Sequence, residues 1–108
     1  MDFGNRADGT KKGNGYFGVI KRPDGNVMTE ISIGVGLNGK ETQVPLIVPT
    51  LTAQEMNYLL RTDPKSKTFM SKMPSTIIDK AVDHAVMRMN EGKSPFADAN
   101  DSPVEMPR

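Results

Sequence analysis

His84 and Asp83 stand side by side in the segment PSTIIDKAVDHAVMRMNEGK, with Asp79 four residues before Asp83. A histidine next to a carboxylate is the pairing used by general bases and metal sites, and two aspartates one helical turn apart can share a cation. The chain has no cysteine and no second histidine. His84 alone makes a poor dyad or metal centre, so the plainer assignment is a boundary histidine with no catalytic role beside a solvated acidic face.

The stretch DGTKKGNGYFG, residues 8–18, has the glycine density of a phosphate-cradling loop. Such loops follow a strand and open a helix, whereas this one precedes a strand, and no GxxxxGK[ST] is present. Basic residues cluster twice, as Arg6, Lys11, Lys12, Lys21 and Arg22, then as Arg61, Lys65, Lys67 and Lys72. If they converge they can hold phosphates by charge, but Tyr16 and Phe17 are the only aromatics within the span of the first cluster and no nucleic-acid module signature is present. With 14 Lys and Arg against 13 Asp and Glu, net charge gives no push toward nucleic acid or anionic membrane. No catalytic residue, cofactor or metal ligand is assigned. The candidate partner contacts are Arg6, Lys11, Lys12, Gly34, Gly36 and Phe96. Gly34 and Gly36 have two readings of equal standing: they let another backbone or a flat ligand approach closely, or they accommodate twist in a small sheet.

The elements that position these residues are those of a small domain. A chain of 108 residues supports one modest core, and 36% hydrophobic content with ten glycines and eight prolines implies a compact centre with irregular arms. The absence of cysteine suits a reducing compartment or a protein held together by assembly. No apolar run approaches the roughly 18 residues that span a bilayer, and the first residues lack the apolar stretch of a signal peptide, so synthesis in a cytoplasm is expected.

Residues 1–14 read as an N-terminal arm, 15–92 as a single α+β domain and 93–108, with three prolines, as a C-terminal arm anchored by Phe96. Two turn signals set the strands. RPDGN has Pro23 at the first corner and Gly25 free for positive φ; Asn38-Gly39 is the preferred pair for a type I′ hairpin. The first turn pairs Lys21 with Val27, Val19 with Thr29 and Phe17 with Ile31. The second pairs Leu37 with Lys40, Val35 with Thr42, Ile33 with Val44 and Ile31 with Leu46. Both registers put Phe17, Val19, Val27, Ile31, Ile33, Val35, Val44, Leu46 and Val48 on one face. The expected sheet is a three-stranded antiparallel meander. Its last strand, residues 41–48, lies at an edge, because Pro45 and Pro49 fall where their missing N–H groups would point outward.

Thr52 and Glu55 have capping-box spacing, which predicts a helix over 53–61 with Met56, Leu59 and Leu60 inward. A basic connector follows. Pro74 and Ser75 then open, and Gly92 closes, a second helix whose stripe Ile78, Ala81, Val82, Ala85 and Met89 should cover the sheet. Two polar arms cannot be ordered by so small a core and should take their shape from a partner.

The motifs NRxDGTxKGxGxxG from Asn5 to Gly18, RPDG, TEISIGV, VPTLT and EGKSPFA run over almost the whole chain. In these it resembles a family of small proteins and modules encoded by tailed bacteriophages, some attached to larger virion-associated polypeptides. The resemblance implies a phage origin and assigns no catalytic residue. The expectation is a non-enzymatic virion structural protein, a minor capsid, decoration, connector or tail component. It would be made in the host cytoplasm and present in multiple copies, binding neighbouring virion proteins through its arms, without membrane or nucleic-acid partners. The alternative is an early phage protein that binds and inhibits a host enzyme or defence complex.

Overall fold

The computed structural model describes residues 3–6, 8–98, 100–101 and 103–107. Four short strands, β1 (Ile20–Lys21), β2 (Val27–Met28), β3 (Ser32–Leu37) and β4 (Lys40–Pro45), precede two helices, α1 (Ala53–Arg61) and α2 (Ser75–Asn90). The class is α+β, as expected. Both turns form as read: Arg22 N–H donates to Asn26 at 2.7 Å with Gly25 at φ +90°, and Asn38 and Gly39 take φ of 52° and 79°. Their registers hold at Lys21–Val27 and from Leu37–Lys40 to Ile33–Val44, and Leu46 N–H reaches the Ile31 carbonyl at 2.7 Å.

The three-stranded meander does not form. The strands make two separate two-stranded antiparallel sheets, β1–β2 and β3–β4. Two features divide what was expected to be continuous. Gly15 and Gly18 adopt φ of +70° and +72°, which turns the chain out of extended conformation where Phe17 and Val19 should have paired. Between β2 and β3, Thr29 and Glu30 are buried and bond to the N-terminal segment: Thr29 Oγ1 donates to the Gly13 carbonyl at 2.6 Å, and Gly13 N–H donates to Glu30 Oε2 at 3.1 Å. The common face is correspondingly corrected. It holds at Phe17, Ile31, Val44, Leu46 and Val48, but Val19 and Val27 are 53% and 48% exposed while Ile20 and Met28 go inside.

Residues 44–48 are all buried, Pro45 and Ile47 included, so the end of β4 runs into the core with both sides covered. The strand stops at Pro45, short of the expected 48. α2 packs against β4. The buried stripe of α2 is Ile77, Ala81, Ala85 and Arg88; Ala81 and Ala85 were expected, but the stripe centres one position earlier at Ile77, and Met89 is exposed. Arg88 takes the last buried place on that stripe, where its donors are used by the C-terminal segment.

α1 carries the full capping box: Thr52 Oγ1 accepts from Glu55 N–H at 3.2 Å and Glu55 Oε1 accepts from Thr52 N–H at 2.8 Å. The same Glu55 oxygen accepts from Lys80 Nζ of α2 at 2.6 Å, which ties the helices together. The connector closes through turns, with Tyr58 O–H donating to the carbonyl of buried Phe69 at 2.6 Å.

Burial pushes the Glu55 carboxyl upward, but the hydrogen bonds from Lys80, Thr52 and Thr76 outweigh it and hold the group down at about 2. A carboxyl depressed in the fold stabilises it above the unfolded pKa, and that contribution is lost as pH falls from about 4.5 toward 2. With solvent screening at the partly exposed Lys80, roughly 1–2 kcal/mol should disappear over that window. Urea denaturation at stepped pH checks this: Glu55→Gln should flatten the profile there and leave the rest unchanged.

Candidate functional site

Arg6 from one end of the chain and Phe96, Asp98 and Asp101 from the other gather around Glu30 and Arg88. Asn5 bridges to Lys11, and Arg6 N–H donates to the Thr10 carbonyl at 2.7 Å, which closes an N-terminal loop. Asp8 Oδ1 fastens its tip, accepting from Thr10 N–H and Oγ1 at 3.0 and 2.7 Å. The loop turns Arg6 inward and leaves Lys11 exposed.

Arg6 grips Glu30 with both arms of its fork, Nε to Oε1 at 2.6 Å and Nη2 to Oε2 at 3.0 Å. Its guanidinium carbon lies 3.9 Å from the centre of the Phe96 ring. Glu30 is 2% exposed, so its charge depends on this fork and the Gly13 N–H. The hydrogen bond to Glu30 in turn raises the Arg6 pKa against the effect of burial.

A second guanidinium completes the region. Arg88, 4% exposed, donates from Nε to the Ser94 carbonyl at 2.9 Å, from Nη2 to the Phe96 carbonyl at 2.8 Å and from Nη1 to Asp101 Oδ1 at 3.0 Å. Asp98 stands 3.6 Å from Nη2. Tyr16 lies beside it, its ring centre 5.6 Å from the Arg88 carbon, its O–H donating to the Pro95 carbonyl at 2.7 Å and its own carbonyl accepting from Val104 N–H at 2.9 Å. Burial pushes the Tyr16 phenol up to about 12 in spite of Arg88, so it stays a neutral donor. His84 meets the Tyr16 ring edge-on at 4.9 Å and is half-buried; burial, then Arg88, lowers its pKa. Its Nδ1 has no hydrogen-bond partner among the described residues.

Of the candidate contacts, Arg6 and Phe96 come together. Lys11 and Lys12 share the N-terminal loop but not the cluster; Lys12 borders a cleft of about 370 Å³ lined also by Arg22, Asp24, Asp63 and Lys65. There members of both basic groups border one cleft together with acidic residues, whose charge offsets theirs. Gly34 and Gly36 lie exposed on β3, apart from the cluster. Asp79 and Asp83 face solvent, and among the described residues no group of three or more His, Asp or Glu is placed to hold a metal ion.

The residues that organise this region and were not read from the sequence are Glu30, Arg88, Tyr16 and Asp101. Arg88 carried a usable signal, lying three residues after Ala85 on the apolar stripe where a charge needs an internal partner. The terminal segments, expected to be shaped by other molecules, are held in their described parts by this chain's own body through these contacts.

Chemically the arrangement is a lock. Both guanidinium groups are committed to carboxylates and carbonyls, and a cleft of about 470 Å³ beside it is lined by Gly13, Asn14, Gly15, Ala97, Asp98, Asp101 and Pro103. Compared with known protein families, curated proteins and solved structures, the chain finds no match.

Arg6→Met should cost about 3 kcal/mol, because it leaves Glu30 buried without its cation, whereas Arg6→Met combined with Glu30→Gln should recover part of that loss. Urea denaturation of the four proteins of the cycle gives the coupling. A coupling near zero would remove the pair from the account of stability.

Proposed function

We propose that this chain is a non-enzymatic structural component of a bacteriophage particle, seated among capsid, connector or tail proteins in multiple copies. One observation carries the reading. Three of the five segments on which the phage resemblance rests meet in a single internal contact, Arg6 of NRxDGT on Glu30 of TEISIGV and beneath Phe96 of EGKSPFA. RPDG serves the same end, since Arg22 Nη2 donates to the Thr62 carbonyl at 2.9 Å at the end of α1. The side chains best suited to chemistry are used to hold the chain's own ends in place. Such a sequence pattern is architectural, and architecture is what an assembly component requires.

The anchored ends still offer surface. Lys11 stands on the outside of the N-terminal loop, and Val104 and Met106, 40% and 38% exposed, lie on the outside of the C-terminal segment. Neighbouring virion proteins would dock on these outer sides, with the inner sides pinned by Arg6 and Arg88.

Mass spectrometry of purified particles tests the proposal. The chain should be present at a copy number comparable to other minor virion proteins. Its absence from particles, with production early in infection, would replace this reading with that of a host-directed inhibitor.

A further inference from the structure

We propose that the outer edge of β3 is a dimerisation strand, at which a second copy of this chain pairs antiparallel about a twofold axis through Val35. In the β3–β4 hairpin the two-residue turn makes Leu37–Lys40, Val35–Thr42 and Ile33–Val44 the bonded pairs. The N–H and C=O groups of Ser32, Gly34 and Gly36 therefore point away from β4. The sheet ends there, and among the described residues nothing hydrogen-bonds to the outward groups of Gly34 or Gly36, both exposed. The opposite edge differs. Pro45, one of its outward positions, has no N–H and is fully buried. The outward positions of β4 are Glu41, Gln43 and Pro45, whereas β3 offers glycine at two of its three.

What fits this ladder is written in the strand. Ile33-Gly34-Val35-Gly36-Leu37 reads almost identically in either direction about Val35. A twofold contact requires such self-complementarity, because each residue must meet its counterpart's neighbourhood. With Val35 opposite Val35 of the second copy, Gly34 meets Gly36 and Ile33 meets Leu37. The glycines, whose backbone groups point outward, exchange the hydrogen bonds. The branched side chains all fall on the face where Ile33, Val35 and Leu37 are now only partly covered by the core. A slip by one residue would break both parities at once. On the other face the Glu41 and Gln43 side chains of β4 lie over Gly34, while the space at Gly36 is open.

A strand pair alone is smaller than the roughly 800 Å² per partner of a stable interface. Apolar surface continues past the end of the edge, where Leu37 with Val86 and Met89 of α2 lines a cleft of about 160 Å³. Val86 and Met89 are 41% and 38% exposed, so pairing at β3 has further apolar ground to cover.

The inference does not depend on the chain's origin and is tested on the isolated protein. Sedimentation equilibrium should give twice the 11.8 kDa chain mass as concentration rises. Gly36→Pro removes one outward N–H per copy without touching a bond to β4, and should weaken the dimer by about tenfold or more. Should circular dichroism show that variant unfolded, Gly36→Lys decides: its Cβ enters open space, and it charges the edge. Val35→Cys, in a chain without cysteine, should yield a disulfide-linked dimer, since facing non-bonded residues lie about 4.5 Å apart, within the disulfide range of about 4.4–6.8 Å. Leu37→Cys, off the axis, should not. A monomer at every concentration, a dimer indifferent to the Gly36 variants, or equal linking by both cysteines would overturn the proposal.

Discussion

Glu30 is a carboxylate placed where water does not reach, and an isolated charge there would cost several kcal/mol. Its compensation is the Arg6 fork together with the Gly13 N–H, all from the N-terminal segment. This one requirement propagates through the molecule. It draws Arg6 and Gly13 onto the body and takes the link between β2 and β3 out of any ladder. It also leaves the Arg6 guanidinium as a flat cation on which Phe96 can lie. The two ends of the chain are thus coupled through a single buried charge.

Arg88 plays the complementary part at the other end. A guanidinium on the apolar stripe of a helix is costly unless its donors are used, and here three separate nitrogens donate to Ser94, Phe96 and Asp101. The carbonyls it satisfies belong to a segment with neither helix nor strand, whose backbone would otherwise have to find water. Arginine is suited to this because its donors are spread in a fixed fork; a lysine could not reach all three acceptors.

What was legible in the sequence was local. The Arg22–Asn26 and Asn38-Gly39 turns, the Thr52–Glu55 capping box and the limits of α2 each depend on residues within a few positions of one another. They form as their spacing implies. The meander failed because joining the two hairpins is a non-local event. A run such as Val27 to Val35 looks like one strand until Glu30 is known to face Arg6, 24 positions earlier. Of the candidate site residues, Phe96 was legible as an aromatic in a polar tail. Arg6 was read as outward charge because nothing nearby announces its partner. Arg88 and Tyr16 were missed for the same reason, as their partners sit in the tail.

Splitting the sheet also changes what the surface presents. A strand that would have been central has one side unpaired, while the strand that carries Pro45 has its end enclosed by the core. The exposed glycines of β3 therefore sit beside unmet backbone groups, in a region separate from the charge lock that fixes the termini. Stability and contact surface are supplied by different parts of the chain.

Amide hydrogen exchange on the isolated protein in dilute solution tests the central claim most directly. If the Arg6–Glu30–Phe96 contact holds both ends, the amide of Gly13, bound to Glu30, and those of Lys12 and Val104, which bond to the Gly4 and Tyr16 carbonyls, should exchange far more slowly than in an unfolded chain. Exchange of these three at unfolded rates, while Val44 and Ile77 in the core stay protected, would contradict it.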